Sequence, residues 1–393
     1  MAGPLAGYRI VDLTQMVSGP MATMILGDQG ADVIKVEPRG GDLTRALGGA
    51  GDGLAPLFVT TNRNKRSLVV DLKQPRGVEL LKRLVARADV FVQNFRPGAV
   101  ERLGLGEPEL RAERPDLVYV SISGFGESGP YAQQRVYDPV IQALSGLASI
   151  QGDPTTGRPR MIRLIVPDKV TALTAAQAIT AALLARERTG RGQHVRLAML
   201  DAVIAFLWPE GMTAHTFVDR RHDATRPLET RDLVFETVDG YLTAGAVSDA
   251  EWAGLARALE HPEWTDDPRF ATPVARIRNA NARLDRTAEV LRTRSTGEWL
   301  ARLRAEGVPS APVLAREQVI DDPQVRANGV IVESVHPRAG RMRQPRPAAR
   351  FAETPSAIRR AAPVAGEHTD EVLREVGFSG EAIRELRAGG VVA

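Results

Sequence analysis

Hydrophobic positions in the first 200 residues follow two alternating periods. Short runs rich in Val and Ile, bounded by turn residues, predict buried strands at residues 8–13, 31–37, 68–71, 89–93 and 116–122. The segments between them, such as residues 74–87, repeat apolar residues at helical spacing. Repeated strand–helix alternation is typical of an α/β fold with a mainly parallel sheet and helices on both faces.

Residues 161–201 hold the candidate chemistry. A short apolar run at residues 161–166 predicts a strand, and residues 170–188 have the best helix-forming composition in the chain. Gly190 is placed to end that helix, and the alternation from His194 predicts another strand. We therefore expect Asp168 where a strand meets a helix N-terminus, a junction that borders the ligand crevice of an open parallel sheet.

Two interpretations of Asp168 are open from its position alone. An Asp directly before a helix commonly acts as its N-cap. The helix N-terminus also favours an ionised carboxylate, and Lys169 would act in the same direction, so we expect an anion able to attack an electrophile. Ser18 is likewise predicted to cap a short helix at residues 21–27, with Pro20 in its first position.

The pattern changes after residue 230. Asp239 and Gly240 predict a hairpin within residues 233–244. Helical spacing at residues 280–291 and 296–306 is followed by a short predicted strand at 312–315. A hairpin with helices indicates a smaller α+β domain, and the two short amphipathic helices that close the chain are expected to dock on a core rather than form one.

Composition excludes several classes of protein. The 393 residues suit two or three domains, and the absence of cysteine excludes disulfides, thiolate nucleophiles and Cys-ligated metals. The net charge of +3 without a long basic run argues against a nucleic-acid surface. No apolar run approaches the ~20 residues of a membrane span and no signal pattern opens the chain, so we expect a cytoplasmic protein.

Metal and redox chemistry are not expected either. The six histidines never pair at metal-ligand spacing. The first strand–helix turn lacks the G-x-G-x-x-G that binds a redox dinucleotide. Residues 124–130 do match that string, but no apolar helix follows them, so we interpret them as a loop that covers a site.

Basic residues suggest local anion sites. The cluster at residues 62–67 is either a solvated loop or an anion cradle, since Arg and Lys match phosphate oxygens. Arg96 and Arg102 follow a predicted strand end, which suits a phosphate site. The polar residues 220–231 are predicted to form a linker or mobile loop.

Six short stretches together resemble the class III CoA-transferases, the family of formyl-CoA transferase and carnitine CoA-transferase. They are residues 4–7, 30–37, 64–67, 94–98, 123–126 and 189–193. The resemblance implies two interlocked rings in an obligate homodimer. It implies a Rossmann-like large domain in two parts (1–205 and 345–393), a small α+β domain (230–320) and linkers (206–229 and 321–344).

The resemblance also implies an activity. Asp168 falls at the position of the family's catalytic aspartate, whose carboxylate moves CoA from an acyl-CoA to a small carboxylic acid through an anhydride and an aspartyl-CoA thioester. Coenzyme A is then part of the substrate, with no metal or redox cofactor. The implied CoA contacts are Val17, Ser18, Arg39, Val70, Asp71, Leu72, Lys73, Asn94, Phe95, Arg96, Arg102, Arg135, Val136 and Tyr137.

This sequence departs from the family pattern at two places. Pro38 occupies the position of the family's adenine-side arginine, and Arg39 stands next to it. Formyl-CoA transferase has a run of glycines in its small domain, whereas residues 220–250 here contain Gly240 and Gly245 alone. The second departure argues against formyl-CoA and oxalate as the substrate pair.

Two other functions compete with this one. A 2-methylacyl-CoA racemase exchanges an α-proton and places a His before an Asp at the start of a helix, but here that pair is Tyr137 and Asp138. A non-catalytic acyl-CoA-binding protein would use Asp168 as a helix cap and bind CoA without turnover.

Overall fold

The structure is a computed structural model that describes residues 2–48, 53–153, 155–219 and 231–393. Residues 220–230 of the polar segment predicted as a linker or mobile loop (220–231), including His222, lie outside these ranges.

The described residues form strands and helices in the following order. The strands are β1 Arg9–Asp12, β2 Asp32–Glu37, β3 Lys65–Val69, β4 Val90–Gln93, β5 Val118–Ser123, β6 His194–Ala198, β7 Phe235–Glu236, β8 Tyr241–Ala244, β9 Ser310–Pro312, β10 Ile331–His336 and β11 Gly340–Pro345. The helices are α1 Ser18–Asp28, α2 Pro56–Asn62, α3 Pro75–Val85, α4 Glu107–Glu113, α5 Asp138–Leu144, α6 Leu147–Ile150, α7 Val166–Thr189, α8 Met199–Gly211, α9 Asp249–Ala258, α10 Pro273–Arg278, α11 Ala280–Leu291, α12 Thr296–Ala305, α13 Arg316–Val319, α14 Pro323–Asn328, α15 Thr369–Glu375 and α16 Gly380–Ala388.

The central sheet confirms the predicted α/β class. Its strand order is β3-β2-β1-β4-β5-β6, and every neighbouring pair is parallel. This is the doubly wound strand order of Rossmann-like folds. The direction in which successive strands are added to the sheet reverses between β1 and β4, which is the switch point of the sheet. The loops after β1 and β4 therefore border the crevice in which such folds bind ligands.

Alternation along each strand supplies two cores, one on each face of the sheet. In β1, Val11 packs into the core shared with α3, α15 and α16, whereas Ile10 packs into the core shared with α1 and α7. The two C-terminal helices thus cover one face of the sheet. The small residues Ala172, Ala175 and Ala176 of α7 are buried in the second core and allow a close approach to α1.

Helix α7 spans 24 residues and ends where Gly190 adopts a positive φ of 69°. Glycine adopts that conformation without steric cost, which agrees with the predicted helix end. Within the described ranges no helix, α7 included, is both long and apolar enough to cross a membrane.

The described chain divides into two compact units. One contains residues 2–148, 161–211 and 330–393, and the other contains residues 149–160 and 212–329. The second unit is built from the antiparallel sheet β7-β8-β9 and helices α9 to α12. Its core is packed around Trp252, Trp264 and Trp299. The hairpin prediction is confirmed, whereas the strand expected at 312–315 lies at Ser310–Pro312.

The segments proposed as linkers contain regular structure. Helix α8 extends through Gly211, and residues 321–344 hold α14 and most of the β10–β11 hairpin. The polar–apolar alternation of a hairpin that buries few side chains gives a weak sequence signal, which explains why residues 331–345 were not predicted as strands.

A buried layer of charge lies below the carboxyl ends of β1 and β2. Asp12, Lys35 and Lys65 are fully buried, and Lys65 Nζ donates to Asp12 Oδ2 at 2.8 Å. Lys35 Nζ donates to Asp42 Oδ2 at 2.9 Å. Burial alone would raise the pKa of Asp12, but the two lysines outweigh it and hold that pKa well below its usual range.

The basic cluster at residues 62–67 is neither a solvated loop nor an anion cradle. Arg63 is buried against Asp28, and Arg66 bonds to Asp32 and to Glu375 of α15. Half of the cluster belongs to β3 itself, which begins at Lys65 rather than at residue 68. Its cations are therefore occupied by carboxylates of this chain and cannot also hold a phosphate.

We expect Asp12→Ala to lower the free energy of unfolding by about 3–5 kcal/mol, because it leaves Lys65 buried without its carboxylate. Urea unfolding at neutral pH measures this loss. Glu79→Ala is the control, since its pair with Arg83 is exposed and should contribute about 0.5 kcal/mol or less. A loss near that of the control would contradict the buried ion layer.

Candidate active site

Asp168 lies in the first turn of α7, as its third residue, and not at the end of a strand. Residues 161–165 form no strand, so the prediction for residues 161–166 is wrong. Their apolar side chains misled the prediction, because Met161 and Leu164 are exposed. The backbone of this segment is held by a side chain: Gln142 Oε1 accepts from the Ile162 N–H at 2.9 Å.

The N-cap interpretation of Asp168 is also wrong. The residue before the helix is Ile165, and the Asp168 N–H is itself capped by Asp138 Oδ2 at 3.3 Å. The carboxylate of Asp168 points elsewhere. Its Oδ1 accepts from the backbone N–H of Ser18, at the start of α1, at 3.2 Å. This hydrogen bond joins two helix N-termini at the carboxylate.

Ser18 is not the cap of α1 either. The helix begins at Ser18, which makes Pro20 its third residue, and no side chain caps it. Instead the Ser18 N–H, one of the free donors of the first turn, is used by Asp168. The family resemblance, and not this hydrogen bond, made Ser18 a predicted site residue. A backbone N–H donor cannot be recognised from the side chains of a sequence.

The loop that presents Ser18 is braced on both sides. Met16 has a positive φ of 69°, a strained conformation for a residue with a side chain, and its N–H bonds to Asp42 Oδ1 at 3.3 Å. Asn94, after β4, accepts from the Gln15 N–H at 2.9 Å and donates to the Gln15 carbonyl at 2.8 Å. The β1 and β4 loops are thereby fixed to each other at the switch point of the sheet.

The environment of Asp168 raises the pKa of its carboxyl to about 6. Burial is the largest cause and the charge of Asp138 is the second, while hydrogen bonds from Ser18 act in the opposite direction. With this pKa the carboxyl is still mainly ionised at neutral pH, but the contribution expected from Lys169 is absent, because Lys169 does not act on Asp168. The charge of Lys169 acts instead on Asp138, whose pKa is raised by burial.

A cavity of about 210 Å³ opens at the carboxyl ends of β1 to β4. Five of the predicted CoA contacts come together in its wall, namely Val70, Asp71, Leu72, Lys73 and Phe95. Leu13, Val36, Val100 and Leu103 make much of the remaining wall apolar. Asp71 accepts hydrogen bonds from its own turn, from Lys73 N and Gln74 Nε2. This cavity suits a flat, largely apolar ligand, and Lys73 supplies a cation at the rim of the cavity.

The other predicted contacts lie outside that wall. Asn94 is committed to Gln15, Val17 is buried beside Ser18, and Val136 packs closely on Gly124. The exposed side chains are Arg39, Arg96, Arg102, Arg135 and Tyr137. The Arg39 guanidinium lies against Gly390 of the C-terminal segment, and the Arg102 guanidinium lies against Gly98.

Two residues of the site were missed as site residues, Asp138 and Gln142. Both are buried, and Gln142 Nε2 donates to Asp138 Oδ1 at 2.6 Å. The available signal was a pair of hydrogen-bonding residues four positions apart in a short helix that begins with Asp-Pro. Among the described residues, no cluster of three or more His, Asp and Glu side chains could hold a metal ion.

We expect Asp168→Asn to stabilise the folded protein at neutral pH. The raised pKa means that the folded state binds the proton more tightly, so the wild type loses stability as pH rises from about 4 to about 6. The amide introduced by the substitution carries no such charge. With allowance for the partial exposure of the site, the variant should gain about 1 kcal/mol near pH 7.5 and almost nothing near pH 4. Urea unfolding at both pH values would contradict this pKa if the gain did not depend on pH.

Comparison with known proteins identifies the family. A family model described as CoA-transferase family III matches residues 5–369. Human succinyl-CoA:glutarate CoA-transferase is 36% identical over 400 residues, which cover 99% of this chain and 90% of the human protein. The succinate–glutarate CoA-transferase of Agrobacterium fabrum is also 36% identical, over 95% of this chain and 96% of that protein. A formyl-CoA:oxalate CoA-transferase of Rhodopseudomonas palustris is 32% identical, over 100% and 98%.

Solved structures agree with the sequence relatives. The crystal structure of Rv3272 from Mycobacterium tuberculosis superposes with a TM-score of 0.84 at 33% identity, over 94% of this chain and 99% of that one. A CAIB/BAIF family protein from Brucella suis gives a TM-score of 0.81 at 33% identity, over 96% and 100%. The resemblance found in the sequence is thus confirmed: the chain belongs to CoA-transferase family III and is an acyl-CoA:carboxylate CoA-transferase.

Proposed function

We propose that Asp168 is the nucleophile and carries the CoA group during transfer. The observation that supports this most strongly is the half-buried carboxylate of Asp168, which accepts the Ser18 N–H and has a pKa raised to about 6. Such a group is ionised at neutral pH yet more basic than an ordinary aspartate. Greater basicity favours attack on a carbonyl carbon.

The proposed reaction has two matched halves. A carboxylate oxygen of Asp168 attacks the thioester carbonyl of the donor, the C–S bond breaks, and a mixed anhydride and CoA thiolate result. The thiolate then attacks the side-chain carbonyl carbon of Asp168, which releases the donor acid and leaves an aspartyl-CoA thioester. The acceptor carboxylate reverses both steps and departs as the new acyl-CoA, with Asp168 free again. No proton, metal or redox equivalent is consumed.

The Ser18 N–H supports the steps that occur at Asp168. When the thiolate or the acceptor attacks the Asp168 carbonyl carbon, negative charge develops on the remaining oxygen. A backbone N–H that already bonds to this carboxylate needs no rearrangement to stabilise that charge. The bracing of the β1 loop by Asp42 and Asn94 keeps this donor in place.

We further propose that CoA binds with its base in the cavity lined by Val70, Leu72 and Phe95. The apolar wall suits a purine ring, and Lys73 stands at the rim, where a phosphate would lie. The exposed Arg39, Arg96, Arg102 and Arg135 are the proposed partners of the remaining phosphates. Tyr137, Val136 and Val17 would accompany the pantetheine arm toward Asp168, and Asn94 would contribute through its backbone.

For substrates we propose a pair of short dicarboxylates, with succinyl-CoA as donor and glutarate as acceptor. The two relatives named for succinate and glutarate share 36% identity with this chain, and the relative named for formyl-CoA and oxalate shares 32%. The missing glycine run also argues against the formyl–oxalate pair. The cytoplasmic location expected from the sequence stays a prediction.

The proposed assembly is the interlocked homodimer that the sequence resemblance implies. Three helices that pack on one another, α5, α7 and α8, expose large apolar side chains. These are Val140, Leu144, Leu173, Leu184, Phe206 and Trp208. Exposed apolar residues in such number on neighbouring helices favour a protein interface, and a second copy of the chain is the proposed partner.

We expect Asp168→Ala to abolish covalent CoA transfer. Wild-type protein incubated with succinyl-CoA should give a CoA adduct that mass spectrometry maps to Asp168 and that hydroxylamine removes. The matched control is Asp201→Ala, because Asp201 is the third residue of α8 as Asp168 is of α7, and it should retain the adduct. α-Proton exchange into deuterated solvent without an adduct would instead indicate a racemase, and CoA binding with neither would indicate a binding protein.

We expect light scattering to give twice the chain mass of 42.5 kDa. Because interlocked rings cannot separate while folded, tagged and untagged dimers mixed under native conditions should form no mixed dimer until they are unfolded and refolded together. A monomer in solution would contradict the dimer, and rapid exchange of subunits would contradict the interlocking.

A further inference from the structure

A second carboxylate is buried next to the proposed nucleophile. Asp138 is the first residue of α5, Pro139 is the second, and the Asp138 side chain is almost completely buried, with 3% of the residue exposed. Its Oδ2 accepts the Asp168 N–H at 3.3 Å, and its Oδ1 accepts Gln142 Nε2 at 2.6 Å. Each oxygen of Asp138 therefore accepts one hydrogen bond. A carboxylate offers two acceptor oxygens for these two donors, whereas an amide offers one.

Gln142 extends this contact to the chain that precedes the nucleophile. Its Oε1 accepts from the Ile162 N–H, and its Nε2 also lies 3.2 Å from the Ile162 carbonyl and 3.3 Å from the Leu164 carbonyl. The segment before α7 has no strand partner among the described residues. The Gln142 side chain therefore supplies backbone hydrogen bonds that a neighbouring strand would supply in a sheet. Asp138 and Gln142 thus fix both the first turn of α7 and the loop that leads into it.

Two charges act on the pair of carboxylates. Asp138 acts on Asp168 and raises its pKa, while Lys169 acts on Asp138 and lowers its pKa in opposition to burial. The neighbouring elements α1, α8, β5 and β6 also carry titratable groups, but none of these contributes to either shift. They are Asp28, Tyr119, His194, Arg196, Asp201 and Glu210. The effect of charged groups on the pKa of Asp168 is therefore local to the α5–α7 contact, and the α1 residue Ser18 acts through hydrogen bonds alone.

We propose that Asp138 is a positioning residue for the transferase reaction. It caps the helical turn that bears Asp168 and places a second negative charge beside the Asp168 carboxylate. The inference rests on the proposed role of Asp168 as nucleophile. Two buried carboxylates near each other are electrostatically unfavourable. Here that repulsion has a use, because it keeps the attacking carboxylate more basic than burial alone would.

The test compares Asp138→Asn with Asp138→Ala. The Asn variant retains one acceptor oxygen and the shape of the side chain but removes the charge, whereas the Ala variant removes the cap as well. Asp201→Asn on α8 is the control, since it removes one carboxylate at the start of a neighbouring helix without touching this network. Circular dichroism and urea unfolding establish that each variant is folded.

Two readouts separate the role of Asp138 from the role of Asp168. Carbon-13 NMR of labelled aspartate follows the titration of the Asp168 carboxyl and needs no turnover, with Asp168→Asn to assign the signal. The pH dependence of CoA adduct formation, followed by mass spectrometry, reports the reaction itself. If the wild type forms no adduct, the proposed nucleophile is wrong, but the NMR titration still decides what Asp138 does.

We expect both Asp138 variants to move the Asp168 titration, and the acidic limb of adduct formation, to lower pH by about half to one unit. The rate above that limb should fall about two- to threefold in Asp138→Asn, for a Brønsted coefficient of carboxylate attack near the value of about 0.5 found for thiolates. It should fall about 10- to 100-fold in Asp138→Ala, which also loses the cap. Titration curves that coincide with the wild type and Asp201→Asn would overturn the proposal and leave Asp138 as a purely structural residue.

Discussion

The proposed active site depends on one long-range hydrogen bond, from the backbone N–H of Ser18 to the carboxylate of Asp168 at 3.2 Å. It connects two helix starts that lie 150 residues apart in the chain, so the whole doubly wound sheet is needed to create it. Each end is held separately. Asp42 and Asn94 hold the β1 loop before Ser18, and Asp138 with Gln142 holds the turn around Asp168. The site is thus rigid through main-chain contacts, and such preorganisation favours charge development at one defined atom.

The same part of the molecule concentrates buried charge. Below the β1 loop, Asp12 pairs with Lys65, and Lys35 pairs with Asp42, which also receives the Met16 N–H. These ions are costly to bury, but each is hydrogen-bonded several times and fixes a strand end or a loop. Near Asp168 the balance differs, because no cation among the described residues acts on this carboxylate and burial and Asp138 both raise its pKa. The paired charges therefore stabilise the scaffold. Asp168, the proposed nucleophile, keeps a carboxyl group whose pKa is raised.

The fold could be predicted from the sequence, and Asp168 could be selected as the proposed nucleophile, because hydrophobic periodicity and short family motifs are local signals. The parallel α/β class, helix α7 and its end at Gly190 follow from such patterns. The contacts that define the site could not be predicted, since they join distant segments. The sequence predicts a solvated loop or an anion cradle at Arg63 and Arg66, because it does not show that their carboxylate partners lie in α1, β2 and α15. Residues 161–165 read as a strand because the sequence does not show that Gln142 satisfies their backbone. Whether each proposed CoA contact binds CoA stays a prediction.

The central claim, that the CoA group passes through Asp168, is tested most directly with a labelled acceptor. With glutarate carrying ¹⁸O in both carboxylates and unlabelled succinyl-CoA, the proposed steps leave one acceptor oxygen on Asp168 after each transfer. That oxygen departs with the next succinate, so both the Asp168 peptide and the released succinate should acquire one ¹⁸O. Glutaryl-CoA formed with ¹⁸O in the released succinate but none in the Asp168 peptide would show that glutarate reacts with the donor directly, and it would contradict the role assigned to Asp168.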